Sequence, residues 1–431
     1  MRQIVKKILS FSERYTKTDM TYLVKGGFWL MVSYIFQIGI GVITTIALAN
    51  FLPKESLGTY QFILSIAAIL SVFTLSGLGT AITRAVARGH EGVLRSGVRT
   101  KLKWSVGIVI ASGATSLYYY LNDNSSLATA FLVVGTFAPF IESFKLYINY
   151  LHGKEAFRDN LLLGAWRKPL PLIAILVALY FTDNVIILIF VYFSSNAISL
   201  IAVYYSVLRK YNPPKQSDAE TLQLSKHLSI FSLVTITATH IDKILIWHFL
   251  GATAVAGYTI AQLGTKYSGG FINTVSVLVL PKVSRRDLYT LQQTLPRKVR
   301  LFTALMILGA GVYILAVPFI FPLLFPQYPE SVAFTQVLAI GLIFIPLSAY
   351  SKVLTAHKQL RAQYILSISN ALIKIILLYT LLPLYGVWGA IYAILATELV
   401  SSITVRYFFA IAKSPSRGSS EEPLESPDRD V

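Results

Sequence analysis

The first long apolar run of the chain spans residues 27–50 and reads GFWLMVSYIFQIGIGVITTIALAN. It contains no charged residue, and a helix needs about 20 apolar residues to cross the hydrocarbon core of a bilayer. Eleven further runs of this kind follow along the chain. The twelve runs cover residues 27–50, 58–82, 104–121, 127–150, 162–181, 185–207, 229–250, 254–280, 301–321, 332–353, 363–383 and 386–410. Because backbone groups in lipid must be hydrogen-bonded within the chain, these runs predict twelve membrane-spanning helices rather than a soluble domain.

The charged residues predict the orientation of these helices. Only 13% of the residues are charged and 55% are hydrophobic, yet the net charge is +18. Six basic residues precede the first run, six follow the second, four follow the sixth and six follow the eighth, whereas the loops on the opposite side contain one, Lys54. Cytoplasmic loops collect Lys and Arg, so we predict a multi-pass protein of the bacterial inner membrane with both termini in the cytoplasm.

An internal repeat divides the predicted helices into two sets of six. Short motifs recur about 200 residues apart, and an even number of spans per repeat gives two halves related by an axis along the membrane normal. The repeated positions are Phe51 and Phe249, Tyr60 and Tyr258, and Gly135 and Gly341. Six plus six spans predict two helical bundles that face each other across a central cavity.

The predicted organisation has five parts. These are a basic cytoplasmic segment (residues 1–24), a first six-helix bundle (25–208), a cytoplasmic linker (209–228), a second six-helix bundle (229–412) and a disordered cytoplasmic tail (413–431), which is rich in Ser, Pro and Glu. The loops on the predicted external side are very short. They leave no room for an external catalytic domain.

Charged residues inside the predicted spans are the candidate functional residues. A charge at the bilayer centre costs roughly 2.5–3.5 kcal/mol on insertion scales, so such residues usually face a cavity or a partner. The candidates for binding a substrate are Lys243, Lys266, Lys374, Asn273 and Gln37, and the candidates for coupling or for structural ion pairs are Glu142, Lys145, Asp242, Glu398 and His240.

Structural explanations compete with the functional one for several of these residues. Lys145 either extends toward the cytoplasm or pairs with Glu142, three residues away on the same helical face. Lys374 and Glu398 lie at similar depth on adjacent helices, which predicts an ion pair between them. Polar stripes in membrane helices also hold helices together without binding anything. Arg167 and Lys168 lie near the inner end of the fifth run, where we interpret them as anchors at the membrane interface.

The excess of lysines within the spans favours an anionic ligand, and phosphate or diphosphate suits the ammonium group as a point-charge partner. The chain contains no Cys, which excludes disulfides and thiol catalysis. It has neither a phosphate-binding Gly-rich loop that ends in Gly-Lys-Ser/Thr nor His spacing typical of a metal site. We therefore expect no metal, no cofactor and no enzymatic activity.

Five stretches resemble a known family. They are KGGFW at 25–29, ANFLPKESLGTY at 49–60, IDKILI at 241–246, GY at 257–258 and LPLYGVWGA at 382–390. In this order they resemble Wzx-type polysaccharide flippases of the multidrug/oligosaccharidyl-lipid/polysaccharide (MOP) exporter superfamily. The resemblance covers about residues 20 to 410.

The resemblance implies a fold and a function. The implied fold has two six-helix bundles around a cationic lumen, and the implied cargo is an undecaprenyl-diphosphate-linked oligosaccharide used for O-antigen or capsule. It makes Lys243, Lys266 and Lys374 candidate contacts of the substrate. It also implies partnership with membrane lipids, a polysaccharide polymerase and chain-length proteins, and no contact with nucleic acid.

Three other functions are weighed against this one. A cation-coupled drug exporter of the same superfamily predicts an acidic cavity, whereas the lysines within the spans outnumber the carboxylates by four to three. A membrane polymerase of sugar units would be expected to need a substantial external loop. A structural scaffold would not place charges in its spans.

The predicted orientation can be tested with reporter fusions. Fusions after Arg95, Gln216 and Gln292 should report a cytoplasmic location, because these residues lie in or beside the basic loops. Fusions at Asn124 and Asn184 should report an external location. A consistent inversion of the signal would contradict the arrangement with both termini inside.

Overall fold

A computed structural model describes residues 20–214, 219–270, 287–357 and 359–412, and the regular structure of these residues is entirely helical. We number the α-helices in chain order. They are α1 (Met20–Phe51), α2 (Lys54–Leu70), α3 (Leu78–Ala87), α4 (Val93–Trp104), α5 (Val106–Leu121), α6 (Ser125–Phe144), α7 (Leu146–Gly153), α8 (Phe157–Arg167), α9 (Pro169–Phe181), α10 (Val185–Tyr211), α11 (Ala219–Leu250), α12 (Ala252–Ala261), α13 (Leu288–Leu324), α14 (Glu330–Leu338), α15 (Ser348–Ala356), α16 (Leu360–Tyr385) and α17 (Val387–Ile411).

Shorter helical segments complete this list. The 3-10 helices Ser71–Thr74 and Ala339–Leu347 extend α2 and α14, and residues 263–270 continue α12. The predictions for the first residues of the chain and for the tail at 413–431 lie outside the described residues.

The predicted membrane helices are present. Within the described residues, nine helical segments are long and apolar enough to cross a membrane, and each coincides with a predicted run. The other three runs fold as α5, α11, and α12 with its continuation. The prediction of an all-α integral membrane fold is confirmed.

The two halves, α1–α10 and α11–α17, share a hydrophobic core at one end only. Phe62 of the first half and Phe325 of the second belong to this shared core, and the Phe62 ring stacks on Trp247 with the centroids 4.3 Å apart. At the opposite end each half has a core of its own, around Tyr150 in the first half and around Tyr350 in the second. The halves are therefore joined most firmly at the shared end, which is the end predicted to be external.

Three polar contacts between the halves lie at the same end, and Gly77 N–H donates to Ser229 Oγ at 3.0 Å elsewhere between the halves. Lys54 Nζ lies 2.8 Å from Glu330 Oε1. The Asn50 amide donates to the Leu324 carbonyl at 2.9 Å, and the Gln327 amide donates to the Asn50 carbonyl at 3.0 Å. These bonds satisfy backbone carbonyls at the ends of α1 and α13, which the helices themselves leave free.

The first half is tied together at its other end by a contact outside the membrane spans. Glu91, in the loop between α3 and α4, accepts hydrogen bonds from Lys154 Nζ at 2.7 Å and from Tyr150 Oη at 3.1 Å. The Lys154 ammonium lowers the pKa of Glu91. This contact therefore stabilises the fold at neutral pH, and its contribution is lost as the pH falls through the lowered pKa.

The closest approach of the two halves depends on a glycine. A Cβ on Gly58 of α2 would lie 1.8 Å from the carbonyl oxygen of Ala252, the first residue of α12. Small residues let membrane helices pack backbone against backbone in this way. The position of α12 against α2 is thus fixed by the absence of a side chain at residue 58.

Replacing this glycine should separate the halves. Gly58→Ala forces α2 away from α12, and overpacking of this kind typically destabilises a protein by about 1–3 kcal/mol. Gly113→Ala is the matched control, because no heavy atom lies within 4 Å of the Cβ that it would add on α5. We expect thermal unfolding in detergent at a lower temperature for Gly58→Ala and at an unchanged or higher temperature for Gly113→Ala. Equal stability of the two variants would contradict the close packing.

Candidate functional site

A buried carboxylate joins the first two helices of the second half, α11 and α12. Asp242 of α11 is 2% exposed. Its Oδ2 accepts hydrogen bonds from Tyr258 Oη at 2.6 Å and from Gln262 Nε2 at 3.1 Å, and its Oδ1 accepts the Lys243 backbone N–H at 2.9 Å. Tyr258 and Gln262 are four residues apart on one helical face, so both reach the same oxygen. The carboxylate is fully engaged by groups of its own half.

Lys374 supplies the opposite charge for this carboxylate. Its Nζ, on α16, donates to the Ala238 carbonyl of α11 at 2.6 Å and lies 3.6 Å from Asp242 Oδ2. The predicted ion pair between Lys374 and Glu398 is therefore wrong, because α16 directs the lysine toward α11 rather than α17. Equal depth on adjacent helices does not reveal which neighbour a side chain faces.

Two further lysines enlarge this charge cluster without a carboxylate partner of their own. Lys243 is half-buried, and among the described residues its ammonium has no hydrogen-bond or ion-pair partner. Lys266 is exposed, with its Nζ 5.9 Å from the centre of the Tyr267 ring. Lys243 lies within electrostatic range of both Lys266 and Lys374. Three lysines against one aspartate leave an excess of two positive charges inside the membrane.

His240 belongs to the same cluster. It is half-buried on α11, within electrostatic range of Lys243, Lys374, Lys266 and Asp242. A proton on its ring would add a positive charge beside three others. His240 therefore adds to the cluster a ring whose nitrogens can accept or donate a hydrogen bond.

A second buried carboxylate, Glu142, lies in the first half, and two lysine ammonium groups neutralise its charge. Glu142 Oε2 lies 3.3 Å from Lys101 Nζ, and Glu142 Oε1 is paired with Lys145. Lys101 is only 2% exposed, although the sequence predicts that it lies in the basic loop after the second run. The prediction that Lys145 pairs with Glu142 is confirmed, and the second partner, Lys101, was not predicted. A carboxylate held by two ammonium groups favours a structural role.

Glu398 differs from these two carboxylates. Its Oε2 is buried and makes no hydrogen bond with the described residues. It lies at a cavity of about 410 Å³ inside the second half, lined also by Gly341, Asn370 and Ser401 among other residues. The Asn370 amide donates to Ser401 Oγ at 2.8 Å on the wall of this cavity. An unsatisfied buried oxygen in a polar cavity favours binding of a proton or of a polar group.

The two remaining candidates lie elsewhere. Gln37 is exposed on α1 and accepts a hydrogen bond at 2.8 Å from Lys168 Nζ. Lys168 is eleven residues after Phe157 in the 25-residue helical segment Phe157–Phe181, and Arg158 and Asp159 lie at the start of this segment. The interpretation of Lys168 as an interfacial anchor stays a prediction. Asn273 lies outside the described residues.

The candidate lysines of the second half lie next to the first half. Tyr34 Oη of α1 donates at 2.5 Å to the carbonyl of Tyr267, the neighbour of Lys266. A Cβ on Gly41 would meet the Tyr267 hydroxyl at 2.5 Å. Tyr34, Gln37 and Gly41 are spaced three and four residues apart, so they share one face of α1. Gln37 thus lies on the face of α1 that meets the segment carrying Lys266.

Comparison with known proteins identifies the family. The sequence profile described as polysaccharide biosynthesis protein matches residues 23–285, which is more than half of the chain. The chain belongs to the polysaccharide biosynthesis protein family. No curated protein matches the chain significantly.

Solved structures show that this polysaccharide biosynthesis family member has a MOP-superfamily fold. An inward-facing multidrug resistance MATE transporter aligns with a TM-score of 0.69 at 14% identity, over 89% of this chain and 97% of that chain. The outward-facing conformation of a MATE transporter gives 0.67 at 16% identity, over 90% and 94%.

A MOP-superfamily transporter from Pyrococcus furiosus gives a TM-score of 0.65 at 16% identity, over 90% and 94%, and a reversed polarity of its binding pocket is described as suggesting a different function. The family profile therefore gives the family of the chain, and these structures show that its fold is the one seen in MOP-superfamily transporters.

The pairing of Asp242 with Lys374 can be tested by a double-mutant cycle. Lys374→Gln leaves a buried carboxylate without its cation, and breaking a buried pair typically costs about 3–5 kcal/mol. Asp242→Asn together with Lys374→Gln should recover part of that loss of thermal stability in detergent. Glu398→Gln combined with Lys374→Gln is the matched control and should recover less, because Glu398 lies within electrostatic range of Lys374 but forms no ion pair with it among the described residues. A rescue by Glu398→Gln, with none by Asp242→Asn, would contradict the observed pairing.

Proposed function

We propose that this protein is a flippase that moves undecaprenyl-diphosphate-linked oligosaccharide units from the cytoplasmic to the outer leaflet of the bacterial inner membrane. The units would serve the synthesis of surface polysaccharide, either the O-antigen of lipopolysaccharide or capsule. The observation that carries the proposal is the excess of two positive charges in the cluster of Lys243, Lys266, Lys374 and Asp242. Membership of the polysaccharide biosynthesis family supports the class of cargo.

The charge cluster suits a diphosphate for electrostatic reasons. A diphosphate brings at least two negative charges into a region of low dielectric, where an unpaired charge is strongly disfavoured. The ammonium groups of Lys243 and Lys266 replace the lost water without competition from a carboxylate of their own. Lys374, which is held by Asp242 and by the Ala238 carbonyl, contributes long-range attraction more than a direct contact.

The polarity of each remaining part of the substrate would decide where that part is placed. The polyprenyl tail is apolar and stays in lipid, while the sugars occupy the aqueous space between the halves. The contacts of Lys54 with Glu330 and of Asn50 with Leu324 close that space at the predicted external end. Release at that end requires these contacts to part, and rocking of the two halves would then alternate access. An inside-negative potential favours outward movement of negative charge by about 2.3 kcal/mol per charge per 100 mV.

A second candidate function is a cation-coupled exporter of the same superfamily. The observation that favours it is the Oε2 atom of Glu398, which is buried, has no partner among the described residues and lies at a polar cavity. A cationic drug would have to pass the excess positive charge of the lysine cluster, which disfavours it as cargo. Coupling of flippase turnover to a cation at Glu398 is compatible with the first proposal.

The flippase proposal predicts that the two unpaired lysines matter for export. Lys243→Ala or Lys266→Ala removes a charged contact to phosphate worth about 1.5–3 kcal/mol, so export should fall about tenfold or more while the protein stays folded in the membrane. Lys243→Arg should restore only part of the activity, since the planar guanidinium differs from the ammonium in geometry. Lys103→Ala, an exposed lysine of α4, is the matched control and should leave export unchanged.

The measurement is the sidedness of lipid-linked saccharides extracted from a deletion strain that carries each variant. Cells without the protein should accumulate the saccharides on the inner leaflet and lose surface polysaccharide. Normal surface polysaccharide in a deletion strain without another flippase would refute the proposed function. Equal export by the Lys243, Lys266 and Lys103 variants would refute the role of the cluster.

A further inference from the structure

The first half contains two adjacent cations at membrane depth that the lysine cluster does not include. Arg167 ends α8 and Lys168 occupies the break before α9, which begins with Pro169. A proline has no N–H to donate, which explains the interruption at this point. Lys168 is about 16 Å along the helix from Phe157 and about 20 Å from Phe181 at 1.5 Å per residue, so both cations lie within the length of this apolar segment. Interrupted helices near the midplane are where transporters of this kind bind their ligands.

The internal repeat relates Lys168 to Lys374. The two lysines are 206 residues apart, the same separation as Gly135 and Gly341. Each lysine also makes the same kind of contact, a hydrogen bond to the first helix of its own half. Lys168 donates to Gln37 of α1, and Lys374 donates to the Ala238 carbonyl of α11. The halves thus present a matched pair of ammonium groups in corresponding apolar segments, Phe157–Phe181 and Arg361–Tyr385.

The two lysines differ in how their charge is balanced. Lys374 has Asp242 at 3.6 Å. Among the described residues, neither Arg167 nor Lys168 forms an ion pair with a carboxylate, and Arg167 Nε is buried without a hydrogen-bond partner. Arg167 forms a side-chain hydrogen bond with Tyr147 and lies within electrostatic range of Tyr192, and neither tyrosine supplies a carboxylate. Two positive charges are therefore left uncompensated in the first half.

The Lys168 ammonium faces the region between the halves rather than lipid. The acceptor of Lys168 is Gln37, which is exposed on the face of α1 that also carries Tyr34, the partner of Tyr267 in the second half. An exposed amide and ammonium at this depth would be costly against lipid tails, so a wet cavity explains their exposure better. That cavity would be bounded on its other side by the segment with Lys266.

We propose that Arg167 and Lys168 form an anion-binding site in the first half of the chain, which takes a phosphate group of the lipid-linked diphosphate; this rests on the flippase function proposed above. Arginine presents a planar fork to phosphate oxygens and lysine presents a point charge, so together they suit one phosphate group. The Gln37 amide oxygen is a neutral acceptor that a phosphate oxygen can replace at the Lys168 ammonium. With Lys243 and Lys266 opposite, each half would hold part of the diphosphate.

The test measures binding to the full-length protein in nanodiscs, with undecaprenyl diphosphate and inorganic pyrophosphate as separate probes. Ligand-induced thermal stabilisation gives the dissociation constant. Lys168→Gln and Arg167→Gln should each raise the Kd for undecaprenyl diphosphate about tenfold. Lys168→Arg, which keeps the charge, should stay much closer to the wild type, and Lys103→Gln is the surface control.

The outcomes separate this proposal from the flippase function. If Lys243→Gln weakens the binding of undecaprenyl diphosphate while Arg167→Gln and Lys168→Gln do not, the first-half site is overturned and the flippase proposal stays intact. No binding of undecaprenyl diphosphate by the wild type would overturn both. If pyrophosphate binds as tightly as undecaprenyl diphosphate, and the same variants lose this binding, the site binds anions but its ligand is a soluble diphosphate. If Lys168→Gln does not fold, an unchanged Kd in the folded Arg167→Gln variant still overturns the site.

Discussion

The cost of a charge in the middle of a bilayer is the constraint on which the arrangement of this protein depends. Each charge there must have a partner, water or a ligand. Glu142 meets the requirement with Lys101 and Lys145, and Asp242 meets it with Lys374. Once these pairs are formed, Lys168 and Lys266 remain beside the helix α1 without a carboxylate among the described residues. The proposed function follows from the charges that the pairing leaves over, rather than from the total charge.

The helices could be predicted because hydrophobic length is a property of the sequence alone. The rotation of each helix is not, and that is where prediction failed. Lys374 and Glu398 were placed correctly in depth on adjacent helices, but α16 turns the lysine toward Asp242. Lys101 was assigned to a loop because its neighbours are basic, yet its side chain is buried against Glu142. Both errors concern the direction of a side chain, which depends on packing between helices distant in sequence.

The start of a helix was misjudged where the helix begins with polar residues. The apolar run of the fifth span starts at residue 162, but the helix starts at Phe157 and includes Arg158 and Asp159. These five residues lengthen the helix by about 7.5 Å at 1.5 Å per residue and leave Lys168 at the same place in the apolar run. The signal that could have located it was the repeat, because Gly135 and Gly341 already fixed the separation that relates Lys168 to Lys374.

Lys168 and Lys374 differ in their hydrogen-bond acceptors, and this difference decides which of the two would bind a phosphate directly. Lys374 is held by a carboxylate and a backbone carbonyl, so an arriving phosphate must compete with a full negative charge. Lys168 is held by the neutral amide of Gln37, and its neighbour Arg167 has an unused Nε donor. Exchange of the neutral amide for a phosphate adds an attraction between full charges at Lys168, whereas at Lys374 it would replace one such attraction by another, so the exchange favours the first half. A diphosphate that enters between the halves would therefore bind Lys168 and Arg167 directly, together with the unpaired Lys243 and Lys266, while the Asp242 pair keeps α16 against α11.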